Sequence, residues 1–434
     1  MNSCAPNEAY MKHTSISGRF LKGKYTADQK ISISVIAIVF VRFIATTCGA
    51  LWNCMHLPGQ SLVLYLTCAI CGLIALPGII AAFSKHFKVM IGISAAFLML
   101  CIMTVAFFPQ NPVAIINNTA LRFLVFGALS VTLIISIGDL TTLWAMLRKV
   151  SYGIALLGVL YYLAALEPIG VYSMPFAYVM LIPLIVLLFS FFKEHKWYDL
   201  VIPFFLLLMI LARGSRGALI SIIAAVVMIL FNFLLSKKIR EKMKKTTYVF
   251  LWIIIIVGII LLVANIEKVL TAIGIVLSKL GMDGRTVALF SSGDIFHSSG
   301  RDYITDIVST TVASNPFAAH GIYGTGVAVN DFMQIGIAGE YAHNIILELI
   351  FTFGIVGGAA MLAAIAFIIV FGLIKSKEND ERKLIILFIA IGLFPLFISE
   401  IVWTSMTFWM LIGIMCKVIH DRYRKTHRKK LEEY

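Results

Sequence analysis

Apolar runs of bilayer length recur along nearly the whole chain, separated by short polar punctuation. A bilayer crossing by a helix needs about 20 mostly apolar residues. Reading the runs between charged residues predicts twelve spans, near 31–52, 61–83, 89–108, 119–138, 150–166, 174–192, 199–212, 218–235, 248–266, 344–374, 384–399 and 401–417. The fifth ends at Glu167-Pro168, and Glu400 alone divides the last two. The rhythm breaks once, at a long polar insertion over 267–343 between the ninth and tenth spans. The N-terminus is polar and basic up to Lys30, whereas a signal peptide carries its apolar core much nearer the start. The first span is therefore expected to be a retained helix.

Composition agrees with the pattern. The 434 residues are 60% hydrophobic and only 13% charged, with a mean hydropathy of +0.95. A soluble domain of this length has no way to hide so much apolar surface. The net charge of +14 would suggest nucleic acid in a soluble protein. In a membrane chain it is better read as the charge that orients helices, and no nucleic-acid partner is expected. The seven cysteines show no metal-ligand spacing, and Cys68 and Cys71 lie inside an apolar run where small buried thiols are expected.

The basic residues alternate with the spans. Twenty-eight of the 36 Lys and Arg fall before the first span, in alternate loops, or in the tail. The positive-inside rule makes that side cytoplasmic, with both termini inside and an even number of spans. The expected fold is an all-α integral membrane protein of about twelve transmembrane helices. Residues 1–434 would form one polytopic domain, and 267–343 an extracytoplasmic, partly helical loop between helices 9 and 10.

Eight basic residues oppose or escape this sorting: Arg42, Arg122, Arg213, Arg216, Lys268, Lys279, Arg285 and Arg301. Arg213-Gly214-Ser215-Arg216-Gly217 is a tight outer turn. Ser215 is placed to cap the next helix, whose N-terminus would point outward with its partial positive charge. Two guanidiniums at such an end form a pyrophosphate cradle, or else touch lipid headgroups. Arg122 lies one turn inside the outer end of its span, where it snorkels or faces a cavity. Arg42 is deeper, at an insertion cost of roughly 2.5–3.5 kcal/mol for a helix centre, and is expected to face protein or water.

Within the loop, 269–280 is apolar but too short to span. It is expected to lie in the interface or against the bundle. Ser299 is a candidate N-cap for a helix over 301–313, which Asn315-Pro316 ends. The glycines from Gly321 to Gly326 resemble a nucleotide fingerprint only in spacing. No βαβ pattern surrounds them, which leaves a possible substrate-contacting turn. His343 closes the loop. A neutral imidazole there is a candidate general base, or simply an interfacial histidine bonded to water or a helix end. His297 and His320 share the loop. Its carboxylates are scattered without coordination spacing, so no metal or other cofactor is expected.

Three ordered segments resemble the bacterial O-antigen ligase and O-antigen polymerase superfamily. Ser215-Arg216-Gly217-Ala218-Leu219 looks like its arginine turn. Ser299-Gly300-Arg301-Asp302, then Asn315-Pro316 and Gly324 to Gly326, is similar to the start of its long periplasmic loop. His343-Asn344, Leu347 and Gly354 to Gly357 resemble its histidine-asparagine helix. The resemblance implies a multi-pass enzyme of the bacterial inner (plasma) membrane with its active site facing the periplasm or exterior. It would take glycan from an undecaprenyl-pyrophosphate-linked oligosaccharide. Arg216, Arg301 and Arg213, with Arg285 and Arg122 as further candidates, would hold the pyrophosphate while His343 deprotonates the acceptor hydroxyl. That chemistry is metal-independent and inverts the anomeric carbon. The acceptor is another carrier-linked glycan in the polymerases and lipid A–core, or a protein, in the ligases. A single long outer loop favours a ligase, while the Lys- and Ile-rich style suits an organism without an outer membrane and favours a polymerase. A polyprenyl-lipid or solute transporter is the alternative of another class. It would place polar groups at the midplane and show internal repeats, and neither is evident in this sequence.

Overall fold

The computed structural model describes residues 25–111, 113–164, 173–213, 216–234, 241, 245–279, 288, 290–292, 301–333, 341–376 and 379–432. All regular structure among them is helical. The first helix, α1 (Ala27–Cys54), opens with a capping box: Thr26 Oγ1 accepts from the Gln29 amide and Gln29 Oε1 from the Thr26 amide. α2 (Gln60–Phe107) packs along it. Ser34 Oγ donates to the Ala75 carbonyl at 2.5 Å where the two meet.

The spans expected at 61–83 and 89–108 are the two arms of α2. The backbone leaves helical geometry at His86 (φ −136°, ψ 33°). A straight helix of 48 residues would be about 72 Å long, more than twice the ~30 Å hydrocarbon core. The corner falls where Lys85 and Lys88 interrupt the apolar run. It is fastened by His86 Nδ1 to Ser136 Oγ (3.0 Å) and by Lys85 Nζ to Asp28 (3.3 Å).

α3 (Val113–Arg122), a π turn (Phe123–Ala128) and α4 (Leu129–Ser136) make one crossing. α5 (Leu140–Ala164), α6 (Met174–Glu194), α7 (Tyr198–Arg213), α8 (Arg216–Leu234) and α9 (Lys245–Ala264) follow. Then come α10 (Ile266–Lys279), α11 (Arg301–Ser314) and α12 (Gly324–Met333), which belong to the insertion. α13 (Ile345–Lys375), α14 (Asn379–Phe388) and α15 (Met406–Glu432) complete the chain.

Seven helices among the described residues are long and apolar enough to cross a membrane, fewer than the twelve spans expected. The two arms of α2 count as one, and the apolar stretches Tyr198–Ala212 and Tyr248–Gly258 are shorter. The span expected at 384–399 is assembled from α14, a π turn (Ile389–Leu393) and a 3-10 turn (Phe394–Phe397).

The main core gathers α1, α5, α6, α8, α14 and α15 around Phe40, Leu143, Ile185, Ala218, Leu387 and Met410. Several polar side chains inside it bond to their own helices. Thr47, Thr132, Ser151 and Ser190 each donate to the carbonyl four residues back, the solution available where no water competes. Arg42, by contrast, is exposed on α1.

One end of the bundle is stitched by charge. Asp28 meets Lys85; Arg148 and Lys196 meet Glu194; Lys383 meets Asp380; Arg422 meets Glu381. These are the loops that the sequence assigns to the basic side, drawn together by α1, the α2 corner, α5, α6, α14 and α15.

Candidate functional site

The opposite end is organised by a broken helix. α13 leaves helical geometry at Gly354 (φ 71°, ψ 169°). A side chain there would be strained by the positive φ, and its Cβ would sit 2.6 Å from the Phe317 carbonyl oxygen. The break orphans backbone groups that a continuous helix would pair. The insertion takes them up: His320 N donates to Phe351 O (3.1 Å), Gly321 N to Thr352 O (3.1 Å), and Ile355 N to Pro316 O (2.8 Å). Segment 315–321, the Asn315-Pro316 stop included, is thus docked by main-chain bonds onto α13.

The short outer piece of α13, residues 345–353, carries the predicted histidine at its head. Asn344 is the N-cap, its Oδ1 accepting from Ile346 N (2.9 Å) and Leu347 N (3.5 Å). His343 precedes it in the left-handed region (φ 53°) and is half-buried. A non-glycine residue held there carries strain, which such sites tolerate when their surroundings fix them. Those surroundings include Glu348, one turn into α13 and 3% exposed. Its Oε2 accepts from Thr325 Oγ1 (3.2 Å) on α12 and from Ala342 N (3.5 Å). Glu348 therefore ties the residue before His343 to α12.

Tyr341 reaches the other way. Its ring lies 4.0 Å from the His343 ring, centroid to centroid. Its hydroxyl donates to the Ser399 carbonyl at 2.5 Å. Ser399 Oγ is 2.7 Å from Tyr178 Oη, on the first turns of α6. Tyr178 Oη in turn lies against Gly217, where an added Cβ would meet it at 2.2 Å. A continuous relay thus joins His343 to the head of α8, whose first residue is Arg216. The glycine after Arg216 is required by close packing, not by φ.

The arginines are placed as follows. Arg213 closes α7, Arg216 opens α8 and Arg301 opens α11; their side chains, with Gly214, Ser215, Arg285 and the cap expected at Ser299, lie outside the described residues. Arg122 closes α3 and is exposed. Thr119 and Arg122 face the Tyr323 phenol, which burial pushes above the usual tyrosine range. Tyr323 (φ 62°) and Gly321 (φ 73°) shape the turn before α12. His320 stacks on Phe351 at 4.1 Å, and burial holds its imidazole below the ordinary histidine range. α10 lies against the bundle, Leu270 packing with Leu211 of α7 and Leu219 of α8, in line with the reading of 269–280.

Sequence reasoning passed over Tyr178, Tyr341, Ser399 and Glu348. Only Glu348 left a signal, as a carboxylate inside an apolar run. The other three are ordinary residues made special by contacts between distant parts of the chain.

Fold and site together define a polytopic helical membrane protein with a polar centre at one end. The sequence profile of the family described as O-antigen ligase matches residues 201–362, from α7 through the broken part of α13. The match spans less than half of the chain and marks a similarity to that family over this region, the same region that carries the resemblance seen in the sequence. No curated protein matches the chain.

Proposed function

We propose that the chain is an inverting, metal-independent glycosyltransferase using an undecaprenyl-pyrophosphate-linked glycan as donor, most simply a polysaccharide polymerase. The observation that carries this reading is the relay from Gly217 through Tyr178, Ser399 and Tyr341 to His343. It ties the arginine turn to the histidine across more than a hundred residues of chain. On this reading the spans number twelve, both termini are cytoplasmic and the centre faces the periplasm or exterior.

The chemistry is a single displacement. The acceptor hydroxyl attacks the anomeric carbon as His343 takes its proton. The bond from that carbon to the pyrophosphate oxygen breaks, and configuration inverts. Arg216, Arg301 and Arg213, with Arg285 or Arg122 in support, meet the charge gathering on the leaving pyrophosphate. Glu348 and Asn344 hold His343 in place, and the carrier's polyprenyl tail stays in lipid.

A ligase passing glycan to lipid A–core or a protein acceptor is the second reading, favoured by the single long insertion. Purified protein supplied with carrier-linked oligosaccharide separates the two. A ladder of products identifies a polymerase, and one unit moved to an added acceptor identifies a ligase. No product with either acceptor contradicts the transferase reading. Chelators are expected to leave the rate unchanged, whereas loss restored by a divalent ion would overturn the metal-free mechanism.

A further inference from the structure

A cavity of about 460 Å³ opens between α11, α12 and the outer part of α13, with Gln110 and Asn111 on its far wall. It is linked to the catalytic candidate through packing. Ala342, the neighbour of His343, packs in one cluster with Ile307 and Phe351, which line the cavity. The lining has the character of a sugar site and not of a phosphate site. Among the described residues its only carboxylate is Asp331, and none of the lining is lysine or arginine. Thr311, Gln110 and Asn111 supply neutral hydrogen-bonding groups.

Asn111 is 2% exposed and spends its amide nitrogen on the carbonyls of His320 (2.8 Å) and Ile322 (3.0 Å). Its Oδ1, and Nε2 of His320, find no partner among the described residues, an expensive state for buried polar atoms. An aromatic face flanks these groups: Phe332, 65% exposed, lines the cavity and pairs edge-on with Tyr303 at 5.7 Å. An apolar ring beside hydroxyl-matching amides and a carboxylate suits the two-sided surface of a pyranose.

We propose that this cavity binds a neutral sugar of the acceptor glycan and holds its hydroxyl toward His343, separate from the pyrophosphate subsite at the head of α8. The assignment rests on the transferase reading and specifies which substrate occupies which side of the histidine. The probe is the repeat oligosaccharide freed from its carrier by mild acid and reduced at its anomeric end, so that it cannot act as donor. Its binding to detergent-purified protein is followed by saturation-transfer NMR, and binding of undecaprenyl pyrophosphate is measured in parallel.

Wild type should bind the oligosaccharide. Asp331→Asn should weaken that binding about tenfold, and Ala328→Trp, which fills the cavity, should abolish it. Both variants should keep their affinity for undecaprenyl pyrophosphate and their melting temperature. Should Ala328→Trp fail to fold, Asp331→Asn and Phe332→Ala carry the test. Undiminished oligosaccharide binding in the folded variants overturns the proposal, as does a phospholipid, but not the oligosaccharide, shielding Ala328→Cys from a thiol reagent. Transfer by a wild type that binds no oligosaccharide sinks the cavity assignment alone. Binding without transfer of carrier-linked glycan sinks the transferase reading and leaves a glycan site.

Discussion

The two ends of the bundle are built from different materials. At one end, carboxylates and basic residues answer each other: Asp28 with Lys85, Glu194 with Arg148 and Lys196, Glu381 with Arg422. Lys383 lies over the Trp144 ring as well as beside Asp380. At the other end the bonds among the described residues are of hydroxyls, main-chain groups and a buried carboxylate. Thr325 and Ala342 converge on Glu348, Tyr178 and Tyr341 on Ser399, and segment 315–321 on the break in α13. Each ion pair at the first end adds only about 0–1 kcal/mol. At the second end the described bonds run through hydroxyls, main-chain groups and the Glu348 carboxylate, and Arg122 stands exposed.

That contrast predicts a graded series of effects. The largest belongs to Arg216→Ala, which should lower transfer by about 10²–10³ with insertion and expression unchanged; a normal rate would remove it from the pyrophosphate cradle. Gly217→Ala comes next, because the new Cβ displaces Tyr178 Oη from Ser399. A misplacement of that kind costs about 10² in rate, so kinetics matching wild type would show that the relay positions nothing. Gly354→Ala should cost more than about 1 kcal/mol in stability through its positive φ, read as a lower melting temperature, and should loosen the 315–321 segment in hydrogen exchange.

Tyr341→Phe removes the bond to Ser399 and should cost about 1 kcal/mol, with transfer falling more than stability does. The smallest effect belongs to the ion-paired end. Glu194→Gln should change stability by no more than about 1 kcal/mol and leave transfer intact. Arg148 holds the Glu194 carboxyl down at about 2, against an ordinary value of 4.5. A depressed carboxylate contributes stability in full above pH 4.5 and loses it as pH falls toward 2. Acid titration of melting temperature should therefore flatten in Glu194→Gln across that window.

Much of this division was legible in the sequence. Alternating loop charges marked the ion-paired end, and Lys85 and Lys88 marked the corner of α2 at His86. The helix over 301–313 and its stop at Asn315-Pro316 follow from local pattern and proline chemistry, and α11 ends where the proline requires. The break at Gly354 was not legible, because a glycine in an apolar helix has the same hydropathy whether it bends or not. What fixes it is the carbonyl of Phe317, far back in the insertion. The relay was hidden for the same reason: Tyr178 and Ser399 are 221 residues apart, and no periodicity connects them. Span counting suffered where helices merge, as in α2, or are pieced together, as around α14.

The central claim is that His343 performs base chemistry at the end of the bundle organised by the break in α13. Its most direct test is the transfer rate of purified His343→Ala with carrier-linked oligosaccharide, alongside the variant's melting temperature. A rate lower by about 10²–10⁴ with folding intact is the predicted result. Undiminished transfer by a folded His343→Ala protein would contradict the account.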